Sequence, residues 1–190
     1  MLEGLIQYLR ENYRISIEEA KVLSPFFKAE KLAKGEFYLK AGVPCHKLSF
    51  ISKGMLRMYR SDGAKEVTQW ISTEGYFVTD LASLAYGTPS RWNIQTLSDC
   101  EFYTIAKQDY DNLKEVLPAL PEIEKRFLTK CFIILEERVH NQISLSAEER
   151  YNDLMQFNPI PFNEVPLQYL ASMLRMTPET RSCIRAKRTS

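Results

Sequence analysis

The sequence predicts an α+β chain: a β jelly-roll with flanking helices, then a long helix, then a short helical pair. Two observations set the class. From Gly35 to Ile105, β-branched and aromatic runs alternate with turn residues at roughly ten-residue spacing, the texture of a sandwich or jelly-roll. On either side of that region, apolar side chains recur at helical spacing instead. A third observation concerns charge. Residues 166–190 hold five basic side chains against one acidic, whereas the rest of the 190-residue chain holds 20 basic and 23 acidic. A basic end on a mildly acidic body outlines either a nucleic-acid-binding module or a solvated basic tail.

Composition narrows the options. Hydrophobic residues make up 45% and charged residues 26%, which excludes disordered and low-complexity classes. No apolar run reaches membrane-spanning length and Met1–Arg10 lacks a secretory pattern, so a cytoplasmic protein is expected. Cys45, Cys100, Cys131 and Cys183 form no C-x-x-C pair, and at least two read as small buried hydrophobes. With His46 and His140 as the only histidines, neither a metal site nor a catalytic triad is expected, and no cofactor or enzyme activity is assigned.

Each element has its own signal. Leu2, Leu5, Ile6, Leu9 and Tyr13 line one face of a first helix over 2–13, and a second runs from Ser16 to Leu23 with Pro25 beyond it. Strands are predicted at Glu36–Lys40, Leu48–Ser52, Met55–Tyr59, Glu66–Ser72, Tyr76–Thr79, Trp92–Leu97 and Glu101–Ile105. Asp62-Gly63 marks a hairpin, and Asp80–Tyr86 fits a single helical turn within the β region. Asp109–Leu117 reads as a short helix and Pro121–Leu145 as a long one. On the long helix Ile123, Phe127, Ile134 and Asn141 form one stripe and Leu128, Leu135 and Val139 its flank. So wide an apolar arc requires cover on more than one side, by the chain's own barrel and by the same helix of a second subunit; a wholly intramolecular core helix is the alternative. Ser146-Ala-Glu-Glu149 is a capping box that starts another helix at Ala147, and Asn158–Asn163 works as a linker.

The C-terminal segment carries two start signals. Pro166 fits a first helical position with Leu167, Leu170, Ala171 and Leu174 on one face; Thr177 and Pro178 fit the N-cap and N1 of a second, basic helix. Two short helices joined by a tight turn match helix-turn-helix geometry, although an unrelated helical hairpin would give the same pattern.

With these residues on the page, the chain resembles the Crp/Fnr family of transcription regulators over nearly its whole length. The resemblance is carried by Lys34–Gly42, Lys53–Tyr59, Gly75-Tyr-Phe77 and Leu170–Ile184. It implies a cyclic-nucleotide-binding-like effector domain over 1–117, a dimerisation helix over 118–145 and a winged-helix-like helix-turn-helix domain over 146–190, its wing truncated after Arg188. The implied function is a sequence-specific, homodimeric DNA-binding regulator, with a near-palindromic site on double-stranded DNA. An unidentified small-molecule effector and RNA polymerase are the further partners it admits. The alternative is an effector-sensing or protein-interaction module with a weakened DNA-binding end.

Departures from the family pattern qualify both ends. Where nucleotide-binding members hold ribose and phosphate, this chain has Thr79-Asp80-Leu81 and Ser90-Arg91-Trp92, so the phosphate-pairing arginine position is Ser90. The adenine-side positions on the long helix are Leu135 and Glu136. Losing the guanidinium removes a charge-assisted pair worth roughly 1.5–3 kcal/mol, so binding of cyclic AMP in the family's manner is not expected. Those eight residues remain candidates to line a pocket for another ligand. At the DNA end, Arg175 occupies a turn position suited to glycine, and Arg181 and Cys183 replace a core hydrophobe and a reading arginine. The resemblance leaves Glu179, Ser182 and Arg185 to reach bases, Gln168 and Thr177 to contact phosphates, and Arg181, Lys187 and Arg188 as further cationic contacts. Iron–sulfur and haem ligation are not expected, since the first cysteine is Cys45 and His46 has no evident partner.

Overall fold

A computed structural model describes residues 3–63, 65–157 and 164–177. Helix α1 (Glu3–Tyr13) buries Leu5, Leu9 and Tyr13. Helix α2 (Ile17–Leu23) opens on a capping box: Ser16 Oγ accepts from the Glu19 N–H at 3.1 Å, and the Glu19 carboxylate accepts from the Ser16 N–H at 2.7 Å. A 3₁₀ turn at Ser24–Phe26 carries Pro25 and ends the helical entry.

Eight strands follow: β1 (Lys28–Leu32), β2 (Phe37–Leu39), β3 (Lys47–Lys53), β4 (Leu56–Asp62), β5 (Lys65–Ser72), β6 (Phe77–Val78), β7 (Asn93–Thr96) and β8 (Cys100–Ala106). They form two four-stranded antiparallel sheets in the orders β1-β8-β3-β6 and β2-β7-β4-β5. Period-two alternation divides the side chains of β8, sending Phe102 between the sheets and Ile105 outward under the helices. The inter-sheet core holds Tyr38, Leu39, Ile51, Leu56, Ile94 and Phe102, together with the thiols of Cys45 and Cys100. Burial pushes the Cys100 thiol pKa up, in keeping with a packing role. Asp62 pairs with Lys65 across the predicted hairpin.

Strand β1 has no counterpart among the expected strands. Its sequence, Lys-Ala-Glu-Lys-Leu, is mostly exposed and lies at a sheet edge, where Lys31 pairs with Glu101 of β8 at 2.9 Å. Charge on an edge strand discourages pairing with other chains and erases the apolar alternation that marks inner strands.

Helix α3 (Leu81–Tyr86) interrupts the strands as expected, and α4 (Lys107–Val116) and α5 (Leu120–Ser144) follow β8. Helix α6 (Ala147–Phe157) starts at the predicted box, Ser146 N–H donating to the Glu149 carboxylate at 2.8 Å. Helix α7 (Leu167–Met173) begins one residue later than the sequence suggests. Pro166 is its N-cap, with extended ψ, and not its first helical residue. Residues 158–163 and 178–190, on which the expected linker and the expected second C-terminal helix fall, lie outside the described residues. A third core joins the barrel to the C-terminal helices: Met55 and Ile71 of the barrel pack with Tyr151, Val165, Leu170, Met173 and Leu174. No helix among the described residues is long and apolar enough to cross a membrane.

Gly54 joins β3 to β4 with φ +97°, and a Cβ there would lie 2.5 Å from the Asp99 carbonyl oxygen and 2.7 Å from the Cys100 sulfur. Gly63, at φ +60°, has nothing within 4 Å. Gly54→Ala should therefore cost at least about 3 kcal/mol in urea unfolding, by strain and collision together, whereas Gly63→Ala should cost about 1 kcal/mol. Equal losses would refute the close approach.

Candidate functional site

Two of the candidate pocket residues, Asp80 and Ser90, are locked to one another. Asp80 caps α3, its Oδ1 accepting from the N–H groups of Ala82 and Ser83 at 3.1 and 3.2 Å. Its other carboxylate oxygen accepts from the Ser90 hydroxyl at 2.7 Å. Ser90 Oγ in turn accepts from the Trp92 N–H at 3.0 Å. Ser83 donates to the Thr88 carbonyl and accepts from the Cys45 N–H, while Thr79 donates to the Lys47 carbonyl. Asp80, Ser83 and Ser90 are all buried, and both carboxylate oxygens are engaged.

The remaining candidates lie elsewhere. Arg91 is exposed, whereas its neighbour Ser90 is buried. Trp92 is half-buried with the Arg60 guanidinium 5.3 Å above its ring. Leu81, 40% exposed, lies on the face of α3 turned away from the knot. Leu135 and Glu136 are exposed on α5. Thus the eight residues divide into a hydrogen-bonded knot around Asp80 and an outward-facing remainder.

Helix α5 carries two kinds of face. Ile123 and Phe127 pack on the helical core beneath the barrel, and Ile134 and Asn141 face α6 and α7. Leu128, Phe132, Leu135, Val139 and Ile143 form a second stripe, each at least half exposed. Their spacings of four, three, four and four residues trace one seam along the helix.

The C-terminal module rests on the barrel through an arginine. Arg57 of β4 is 1% exposed, and its guanidinium lies 3.7 Å from the Tyr59 ring on one side and 3.7 Å from the Tyr169 ring of α7 on the other. One nitrogen donates to Glu66 at 2.7 Å; Nε and Nη1 are buried without a hydrogen-bond partner among the described residues. The two aromatic faces therefore carry much of the compensation for burying this cation. Ser172 Oγ accepts from the Thr68 N–H of β5 at 3.0 Å and ties α7 to the same sheet. Neither Arg57 nor Tyr169 stands out in the sequence as functional. The only signal is that Arg57 and Tyr59 share one strand face.

The end of α7 is stapled as well. Arg175 has φ +54°, the left-handed turn expected of it, and the N–H groups of Met176 and Arg175 reach the Ala171 and Ser172 carbonyls in the Schellman pattern. A non-glycine residue in that conformation costs about 1 kcal/mol. Arg150 of α6 donates to the Leu174 carbonyl at 3.0 Å and to the Leu145 carbonyl at 2.6 Å, which satisfies orphan acceptors at the ends of α7 and α5. Beside it a small cavity of about 80 Å³ lies between Trp70, α5, α6 and α7. Arg138, stacked 4.9 Å from Trp70, lines it; burial and the nearby Arg175 guanidinium push its pKa down to about 10.

Of the DNA-contact candidates, Gln168 and Thr177 are exposed, on α7 and just past its end. Glu179, Arg181, Ser182, Arg185, Lys187 and Arg188 lie outside the described residues. Among the described residues no group of three His, Cys, Asp or Glu side chains could hold a metal ion.

The family description "Cyclic nucleotide-binding domain" matches residues 29–115, which span β1 to α4. The barrel has the cyclic-nucleotide-binding-domain fold. Solved structures extend the likeness beyond it. The c-di-GMP responsive global regulator CLP of Xanthomonas campestris is 14% identical with a TM-score of 0.67, covering 89% of each chain. The catabolite activator protein of Thermus thermophilus is 20% identical with a TM-score of 0.59, covering 95% of this chain and 85% of its own. FixK2 of Bradyrhizobium japonicum is 12% identical with a TM-score of 0.69, covering 85% and 83%. Among curated proteins, none matches the sequence. These likenesses establish a shared arrangement of barrel, long helix and C-terminal module.

The Arg57 contact yields a stability test. Tyr169→Ala strips one aromatic face from a buried cation and should lower stability by about 2–4 kcal/mol in chemical denaturation. Arg57→Met keeps the apolar stem, removes the buried charge, and should be neutral or stabilising. A loss of several kcal/mol in Arg57→Met would show that the charge itself holds the module in place.

Proposed function

We propose that this chain is a homodimeric, sequence-specific DNA-binding transcription regulator. The observation that carries the reading is the unpartnered seam on α5. Leu128, Phe132, Leu135, Val139 and Ile143 present an apolar stripe that the chain's own barrel does not cover, and a second copy of α5 fits it. Two chains joined along α5 would place two basic C-terminal segments, each with five cationic side chains, on one side of the assembly. In this reading Gln168 and Thr177 contact phosphates, Glu179, Ser182 and Arg185 reach base edges, and Arg181, Lys187 and Arg188 add cationic contacts. RNA polymerase is a further partner the reading accommodates.

The effector domain, in this proposal, does not hold cyclic AMP in the family's way. Ser90 offers a hydroxyl already donated to Asp80 where a guanidinium would pair a cyclic phosphate, and Arg91 faces solvent. Glu136 adds a negative charge at an adenine-side position, which opposes an anion. In this reading the position that Ser90 and Asp80 occupy is filled by the protein's own hydrogen bonds.

A second reading has its own support. With Leu170 fully buried against the barrel and Tyr169 closed over Arg57, α7 is committed to an intramolecular contact. That arrangement also suits an effector-sensing or protein-interaction module with a weakened DNA-binding end.

Wild-type protein should sediment with the mass of two chains, and Leu135→Asp should sediment as a monomer with unchanged circular dichroism; a dimeric Leu135→Asp would overturn the α5 interface. Gel retardation on the protein's own upstream DNA should weaken at least tenfold between 50 and 200 mM salt, on the order expected for several phosphate contacts per complex. No retention at low salt favours the second reading. Isothermal titration with cyclic AMP should show no binding at micromolar concentration, and micromolar affinity would contradict the account of Ser90 and Asp80.

A further inference from the structure

A cleft of about 530 Å³ lies outside the barrel, lined by α1, α2, α3, α4, α5 and the outer face of the β1-β8-β3-β6 sheet and open on one side. Well-packed interiors hold few voids larger than a water molecule, and ligand pockets run from about 300 to 1,000 Å³. Its wall is apolar: Leu9, Tyr13, Phe77, Ile105 and Leu113 are among the side chains that line it. The charged groups at its rim are Lys107, Asp111, Lys114 and Glu124. Both lysines pair with Asp111, at 2.9 and 3.1 Å, and Glu124 accepts from the Tyr110 hydroxyl. Burial and the Glu124 hydrogen bond hold the Tyr110 hydroxyl pKa well above its usual value, so it stays a donor.

We propose that this cavity is a binding site for a neutral, predominantly apolar small molecule. The rim carries two positive and two negative charges, each engaged with another protein group, so no unspent charge is left to attract an ion. The wall offers aromatic and aliphatic surface in place of hydrogen-bonding groups. An apolar cavity of about 150 Å³ already suffices to stay dry and bind benzene, and this one is more than three times larger.

The position gives such a molecule leverage. Helix α3 turns Leu81, Ala82, Ala85 and Tyr86 toward the cavity while Asp80 and Ser83, on its other side, hold it to the barrel. Across the cavity stand Leu120, Ile123, Phe127 and Leu128 of α5. An occupant therefore touches both α3, the helix that Asp80 caps, and the long helix. That regulatory consequence rests on the regulator reading, but the binding itself does not.

The test uses the full chain and the neutral fluorophore N-phenyl-1-naphthylamine. Saturable fluorescence enhancement at one probe per chain is expected, with at least tenfold weaker binding in Ala85→Trp and in Ala82→Trp. Both substitutions sit on exposed positions of α3 at the mouth, and each variant is first checked for a cooperative melt at the wild-type temperature. Decanol should displace the probe at least tenfold more effectively than decanoate. The proposal is overturned by an absence of saturable binding, by binding that neither tryptophan weakens, by a stoichiometry of one probe per two chains, or by decanoate competing as well as decanol. DNA retardation does not enter this readout, so a chain that fails to bind DNA can still bind the probe.

Discussion

A 25-residue helix with apolar side chains around most of its circumference cannot be satisfied by one barrel. This constraint organises the protein. The inner face of α5 closes the helical core with Ile123 and Phe127 and receives α6 and α7 beside Ile134 and Asn141. The outer face keeps Leu128, Phe132, Leu135, Val139 and Ile143 in water. Fully burying side chains of this kind gains roughly 1.5–3 kcal/mol each, which makes the exposed seam a strong drive toward association. In the fold shared with CLP and the catabolite activator protein, barrel and C-terminal module both hang from this one helix.

Two polar features define what the barrel does with its interior and its flank. Around Asp80, both carboxylate oxygens and the Ser83 and Ser90 hydroxyls are engaged by neighbours of the same chain. On the flank, Arg57 is buried between two tyrosine rings and binds the C-terminal module to β4. Both features are intramolecular. The largest apolar space among the described residues lies instead outside the barrel, between α3 and α5.

Much of the fold is legible in the sequence because turn chemistry punctuates it. Gly54, Asp62-Gly63 and Gly75 mark strand ends, and the Ser146 box gives a helix start by the hydrogen bonds that capping requires, whereas the equivalent box at Ser16 emerges only in the structure. Edge strand β1 escapes because its exposed lysines carry no alternation. Pro166 is misplaced by one residue because proline suits both the N-cap and the first helical turn. The left-handed turn at Arg175 is legible from the glycine it replaces in the family pattern.

The site is less legible for a different reason. Sequence places Asp80 and Ser90 as groups that could meet a ligand, but it cannot show that they meet each other. The clamp of Tyr169 on Arg57 joins distant segments through tertiary packing alone, and nothing local announces it. Leu135 carries two expectations, as a pocket residue and as an interface residue; its exposure on the outer seam fits the second.

The pairing of α5 is tested most directly by oxidative cross-linking in a Cys131→Ser background, with one new cysteine placed on the helix. Leu135→Cys should give a covalent two-chain species on mild oxidation, whereas His140→Cys, off the seam, should not. Failure of Leu135→Cys to cross-link, or equal cross-linking from both positions, would contradict the account.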